Sequence, residues 1–187
     1  MSAEERQPTA VQQVALVLLR VVIGWHFLYE GYSKVIVPNW SARAFLEDAR
    51  GPLAGVFQQM AADPRILEAI NLLNMWGLLL VGAALILGAA TRFSCVCAML
   101  MLVLYHVANP PWIGVLHHPG EGNYLYVDKN IVEFFAVLAL LVMNTGRIAG
   151  LDVLVYEWRR RRRAAAARKP EAKPSGPPEG DVELSEE

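Results

Sequence analysis

Apolar residues in this chain gather in long runs, not in the alternating or one-faced patterns of water-soluble elements. Four runs stand out: Val11–Val37, Ile66–Ala90, Phe93–Ala108 and Tyr126–Thr145. Pro38-Asn39 closes the first, Asn109-Pro110-Pro111 the third and Gly146 the fourth. Pro8 and Thr9 stand at the predicted start of the first helix, where a first-turn proline forfeits no hydrogen bond. At 1.5 Å per residue the first run extends about 40 Å, enough to cross a hydrocarbon core of about 30 Å and protrude. The third run is short for a crossing. Only Thr91-Arg92 part the second and third runs, which predicts a tight antiparallel hairpin. The rival reading is a soluble protein with buried core helices. Four segments with so little amphipathic surface would leave it no water-facing side. The expected fold class is therefore all-α: an integral membrane four-helix bundle over residues 11–150.

The segments outside the runs have patterns of their own. Ser41–Met60 places Ala42, Phe45, Leu46, Ala49, Leu53 and Val56 at partly helical spacing, broken by Gly51-Pro52, and could form a lid. Leu151, Leu154, Val155 and Trp158 repeat at helical spacing before Arg159–Arg163. Residues 151–163 thus read either as an interfacial helix whose basic end meets anionic lipid headgroups or as a plain stop-transfer flank. Residues 164–187 lack aromatics and are rich in Pro, Glu, Ser and Gly, so a disordered tail is expected. Residues 1–10 carry Glu4, Glu5 and a single Arg6, without a basic n-region, so the first run is expected to be retained and not cleaved as a signal peptide.

Charge sets the orientation. The net charge of −1 averages the arginine cluster with an acidic end, so its distribution matters more than its sum. Arg6, Arg92, Arg147 and Arg159–Arg163 fall on one side of the predicted bundle; Arg43, Arg50 and Arg65, on the other, each lie near an acid. The positive-inside rule then puts both termini in the cytoplasm of a bacterial inner (plasma) membrane, and residues 38–65 and 109–125 outside. Trp40, Trp76, Trp112, Tyr124 and Tyr126 mark the outer interface, Tyr156 and Trp158 the inner one. The basic run is short and membrane-adjacent, which argues for lipid and against nucleic acid as its partner. Cys95 and Cys97 point about 200° apart on a helix, so no disulfide and no cysteine-based metal site are expected.

Ionisable groups within spans are costly, on the order of 2.5–3.5 kcal/mol each at a helix centre. The first span holds Arg20, His26, Glu30 and Lys34 within about 120° of one another. His26–Glu30, Glu30–Lys34 and Lys129–Glu133 are i,i+4 pairs. Asn71 and Asn74 share a face of the second span with Glu68. His106 and Asn109 share one of the third, and Lys129, Asn130 and Glu133 one of the fourth. With the expected orientation, His26, Glu30, Lys34, Asn71, Asn74, His106, Asn109, Lys129, Asn130 and Glu133 all lie in the outer third of the bundle. The inner half holds chiefly Arg20 and Asn144. A polar zipper that only fixes packing is one reading; a ligand or redox pocket under the outer loops is the other. In the second, His26, Glu30, His106 and Glu133 are the candidate catalytic proton carriers, and Lys34, Asn71, Asn74, Asn109, Lys129 and Asn130 the candidate ligand-binding groups. Lys34 and Lys129 could instead snorkel to the interface. His26 and His106 would suit axial haem ligation only if they faced each other at matched depth. His117, His118 and Glu121 could chelate a metal but read more simply as an exposed loop. Neither metal nor haem is expected. No phosphate loop, dinucleotide fingerprint or nucleophile triad is present.

Three segments carry a family resemblance. "LLRVVIGWHFLYEGYSKV" resembles the first helix of the DoxX family. "GAALILGAATRFSCV" resembles its second helix and Thr-Arg turn. "YVDKNIVEFFAVLALL" followed by "TGRIAGLD" resembles its fourth helix and exit. Arg20, Gly24, Phe27, Gly31, Lys34, Arg92, Lys129, Asn130, Arg147 and Asp152 match the pattern, over roughly residues 11–152. The long first loop and "EGNYLYVDKN" look most like the DoxD-type branch, the membrane subunit of thiosulfate:quinone oxidoreductase. The resemblance implies a four-helix membrane protein of a family often linked to electron transfer or redox homeostasis. Quinone is the expected cofactor, and a separate redox subunit is an expected partner, since no DoxA-type domain is present in this chain. A non-enzymatic membrane adaptor and a small transporter are the alternatives, and the number of subunits is left open.

Overall fold

The computed structural model describes residues 8–111, 123–124 and 126–167. Helix α1 spans Ala10–Ile36 and opens with a capping box. The Thr9 hydroxyl accepts from the Gln12 amide, while the Gln12 side chain accepts from the Thr9 amide. Thr9 is thus the N-cap and Pro8 stands just before the helix, not in its first turn. Short helices α2 (Arg43–Glu47) and α3 (Ala54–Ala62) follow, then α4 (Pro64–Leu87) and α5 (Thr91–Ala108). Asn123–Tyr124 pairs antiparallel with Val127–Asp128, and α6 (Lys129–Val142) leaves this small hairpin. A 3-10 turn at Thr145–Arg147 leads to α7 (Leu151–Ala167).

Helices α1, α4 and α5 are long and apolar enough to cross a membrane. Exposed apolar side chains run down their outer faces, among them Val14, Leu18, Leu73, Leu80, Phe93 and Leu100. Such a surface needs lipid around it; with the apolar helices, it makes this a membrane protein. The fourth run departs from expectation. Asp128, extended and in the hairpin, accepts from the Ile131 amide and starts α6 only at Lys129, leaving 14 residues in place of Tyr126–Thr145. At about 21 Å, α6 is shorter than a full crossing. Helix α7 runs to Ala167, past the boundary expected at residue 163, so 164–167 are helical where a disordered tail was predicted. The rest of that tail, along with Trp112, His117, His118 and Glu121, lies outside the described residues.

Packing is closest between α1 and α4 and between α5 and α6; the α4–α5 and α1–α6 seams are slighter. Glycines bring α1 and α4 together. A Cβ on Gly82 would collide with the backbone of Leu28, and one on Gly31 with that of Leu79, the small-residue contact that membrane helices use in place of a hydrophobic drive. Ile23, Phe27, Leu78, Leu85, Ala98, Leu102, Val137 and Leu140 fill the space between the helices. A second cluster, including Leu46, Phe57, Ala61, Leu67 and Ala108, holds α2 and α3 down over the loop end of the bundle.

The opposite, arginine-bearing end is closed by a polar clamp. Arg20, 2% exposed, donates from Nη1 to the carbonyls of Thr145 (3.1 Å) and Ala149 (2.8 Å). Asp152 at the start of α7 accepts from the amides of Ala90 (2.7 Å) and Thr91 (2.8 Å) and so caps α5 from outside. The hairpin between α4 and α5 is therefore Gly88-Ala89-Ala90, not Thr91-Arg92. Gly88 takes φ 64°, and Ala90 is held at φ 46°, a left-handed conformation unusual for a residue with a Cβ. Burial pushes the Asp152 carboxyl up, but the Thr91 and Ala90 hydrogen bonds and the nearby Arg20 charge outweigh it, leaving the carboxyl below its ordinary range.

Candidate functional site

At the loop end helices α1, α4, α5 and α6 do not close on one another. They leave a cavity of about 460 Å³ beneath α2, within the size range of small-molecule sites. His26, Phe27, Glu30 and Lys34 of α1 line it, with Asn74 and Leu78 of α4, Leu102 and Tyr105 of α5, and Lys129, Asn130 and Glu133 of α6. Asn109, just beyond α5, and the segment from Trp40 to Phe45 complete the wall. The sequence brings these groups together simply. Lys34, Glu30 and His26 climb one flank of α1 at i,i+4 spacing, and α6 begins beside them with its own polar turn.

The charges pair within and across helices. Lys34 Nζ meets Glu30 Oε2 at 2.7 Å and lies 5.5 Å from the centre of the Trp40 ring. His26 Nδ1 meets Glu133 Oε1 at 3.1 Å across the α1–α6 seam, while its Nε2 is 3.9 Å from Glu30 Oε1. Glu133 thus pairs across helices with His26, and the expected local pair with Lys129 is absent from the ion pairs among the described residues. The Tyr105 hydroxyl donates to Asn74 Oδ1 at 2.7 Å, which leaves the Asn74 amide hydrogens for other acceptors. Apolar Phe27, Leu78 and Leu102 form the floor, and Phe45 packs edge-on to Tyr105.

Eight of the ten residues singled out in the sequence line this one cavity: His26, Glu30, Lys34, Asn74, Asn109, Lys129, Asn130 and Glu133. Two do other work. Asn71 Oδ1 accepts from the Ala42 amide at 2.8 Å and its Nδ2 donates to Ser41, tying the roof to α4. His106 Nδ1 lies 3.3 Å from Asp128 Oδ2, behind the wall. Asp128 also accepts from Asn130 Nδ2 at 2.9 Å, so it connects His106 to a residue of the cavity. The sequence reading placed Ser41 and Phe45 in a possible lid but missed Asp128 and Tyr105 as parts of the site. Asp128 carried a usable signal, an Asp directly before an apolar helical run; Tyr105 carried none.

Comparison with known proteins gives one match. The DoxX family model matches residues 15–109, from the second turn of α1 through α5. No curated protein and no solved structure matches the chain.

Proposed function

The chain belongs to the DoxX family, and on that premise we propose that it is a four-span membrane subunit of a quinone-linked oxidoreductase, working with a separate redox polypeptide. In this reading α6 and the turn after it make the fourth crossing, the arginine end faces the cytoplasm of a bacterial inner membrane, and α7 lies against anionic lipid headgroups. The DoxD-type branch is the finer placement we favour. One observation carries the reading: a cavity at the bundle's loop end that sets an acid–base pair, His26–Glu133, and a neutralised pair, Glu30–Lys34, over an apolar floor. That combination fits a flat, amphiphilic ring with two carbonyl oxygens.

A quinone bound there would supply the two-electron chemistry and require two protons. Glu133 holds Nδ1 of His26 and thereby fixes the ring, while Nε2, beyond hydrogen-bond range of Glu30, is available to a carbonyl oxygen. The pair can hand over a proton and recover one, as general acid–base catalysis requires. Asn74 and Asn130 can orient the opposite oxygen. Phe27, Leu78 and Leu102 keep water from the ring face. Electrons come from the partner polypeptide through the loop end.

The test is binding. The protein purified in mild detergent should release quinone on organic extraction and bind a short-tailed ubiquinone analogue. H26Q and E133Q should fold and lose affinity at least tenfold. Wild-type protein that holds no quinone and binds no analogue would sink the reading.

A further inference from the structure

The walls of the cavity are not equally shut. Glycine contacts lock α1 to α4, and α5 packs along α6. The roof is pinned twice: Ala42 to Asn71, and the amides of Arg50 and Gly51 to the Ala108 carbonyl, each at 3.0 Å. A Cβ on Gly51 would collide with the Val107 carbonyl, so the loop lies directly against the end of α5. The α1–α6 seam is built differently. Arg20 closes it at the arginine end through Thr145; at cavity depth the His26–Glu133 pair bridges it.

Helix geometry fixes where His26 stands. At about 100° per residue it lies between buried Phe27 on one side and exposed Trp25 on the other. Its side chain is 42% exposed, against 11% for Glu133, which points inward from α6. Val22 and Tyr29, about one turn before and after His26 on the same face of α1, are exposed. The imidazole therefore stands at the boundary between the cavity and the lipid-facing surface.

We propose that the α1–α6 seam is a lateral portal with the His26 ring as its gate. Through it a ligand dissolved in the bilayer passes its polar head into the cavity while an apolar tail stays between the helices. This deepens the quinone reading and rests on it for the ligand's identity, but it commits to more: the substrate class is a tailed amphiphile taken from the membrane, not a water-soluble anion. His26 is then both a proton carrier and the side chain that must turn aside for the headgroup.

Cysteine labelling in nanodiscs, whose two faces are both open to solvent, tests this. Full-length protein with Cys97→Ser, Cys95 being buried in the core, carries His26→Cys, or Glu30→Cys should that variant misfold. Trp25→Cys and Ser41→Cys serve as lipid-facing and roof references. Relative to those references, a membrane-dissolved pyrenyl maleimide should label the His26 position at least tenfold faster than a sulfonated maleimide, and a long-tailed quinone should slow it. Faster labelling by the sulfonated reagent overturns the portal, even if quinone still protects and the quinone reading stands. Lipid-phase labelling that quinone does not slow keeps the portal and overturns the quinone as its ligand.

Discussion

The two ends of this helix bundle use the same kinds of residue to opposite effect. Arg20 and His26 sit on one helix, about 9 Å apart along its axis. Arg20 donates twice from Nη1 to backbone carbonyls of the turn after α6, and its surroundings leave no room: a Cβ on Gly88 would meet the guanidinium. His26 and Glu30 bond to side chains that could let go, around a cavity. A charge whose partners are main-chain atoms of distant segments is part of the fold. A charge whose partner is a single side chain beside empty space is available for exchange.

That contrast can be broken at several points. The largest loss is expected for Arg20→Ala, which strands buried carbonyls and removes the tie between α1 and the turn before α7. Breaking such a buried charged contact costs about 3–5 kcal/mol, and thermal melting in detergent should show the protein barely folded; a melt close to wild type would show that the clamp is not structural. Gly82→Val comes next, because its side chain would meet the Leu28 backbone; an overpacked seam costs about 1–3 kcal/mol, visible as a lower Tm. Asp152 adds a pH dependence. Its carboxyl lies below its ordinary value in the folded protein, so its contribution is complete above the unfolded value of about 3.9 and is lost as pH falls through the lower folded value. Asp152→Asn should therefore be less stable than wild type at neutral pH, with the gap narrowing below about pH 4. A gap that stays constant into acid would exclude the carboxylate as its source. The smallest stability change is expected at the cavity. H26Q, removing a pair that is partly exposed, should shift stability by about 0–1 kcal/mol while abolishing ligand affinity. A large destabilisation there would make His26 another clamp residue and return the cavity to a packing role.

Much of this was legible in the chain because membrane helices announce themselves by length. The first three apolar runs agree with α1, α4 and α5 to within a few residues. The fourth misled because apolarity says nothing about caps, and Asp128 fixed the start of α6 locally. The shared depth of the polar faces pointed to one cavity, since helix period and antiparallel order suffice for depth. Depth does not say which neighbour a face meets. That is why Asn71 proved to hold the roof, His106 proved to meet Asp128, and Glu133 found His26 in place of Lys129. Asp152 was legible only as a match to a family pattern. Nothing nearby in sequence indicates that its partners are Ala90 and Thr91.

The cap that Asp152 provides lies 62 residues downstream of the amide it accepts from at Ala90. At about 5–20 residues per second of synthesis, the ribosome needs roughly 3–12 s to make that interval. Through those seconds the nascent α4–α5 hairpin has left its tunnel with the amides of Ala90 and Thr91 unclaimed and the left-handed turn unsupported. The hairpin can be threaded into the bilayer early, but its shape is ratified late, when the beginning of α7 arrives. A ribosome stalled before that point would leave a protein that is inserted yet unfinished, a natural target for membrane quality control.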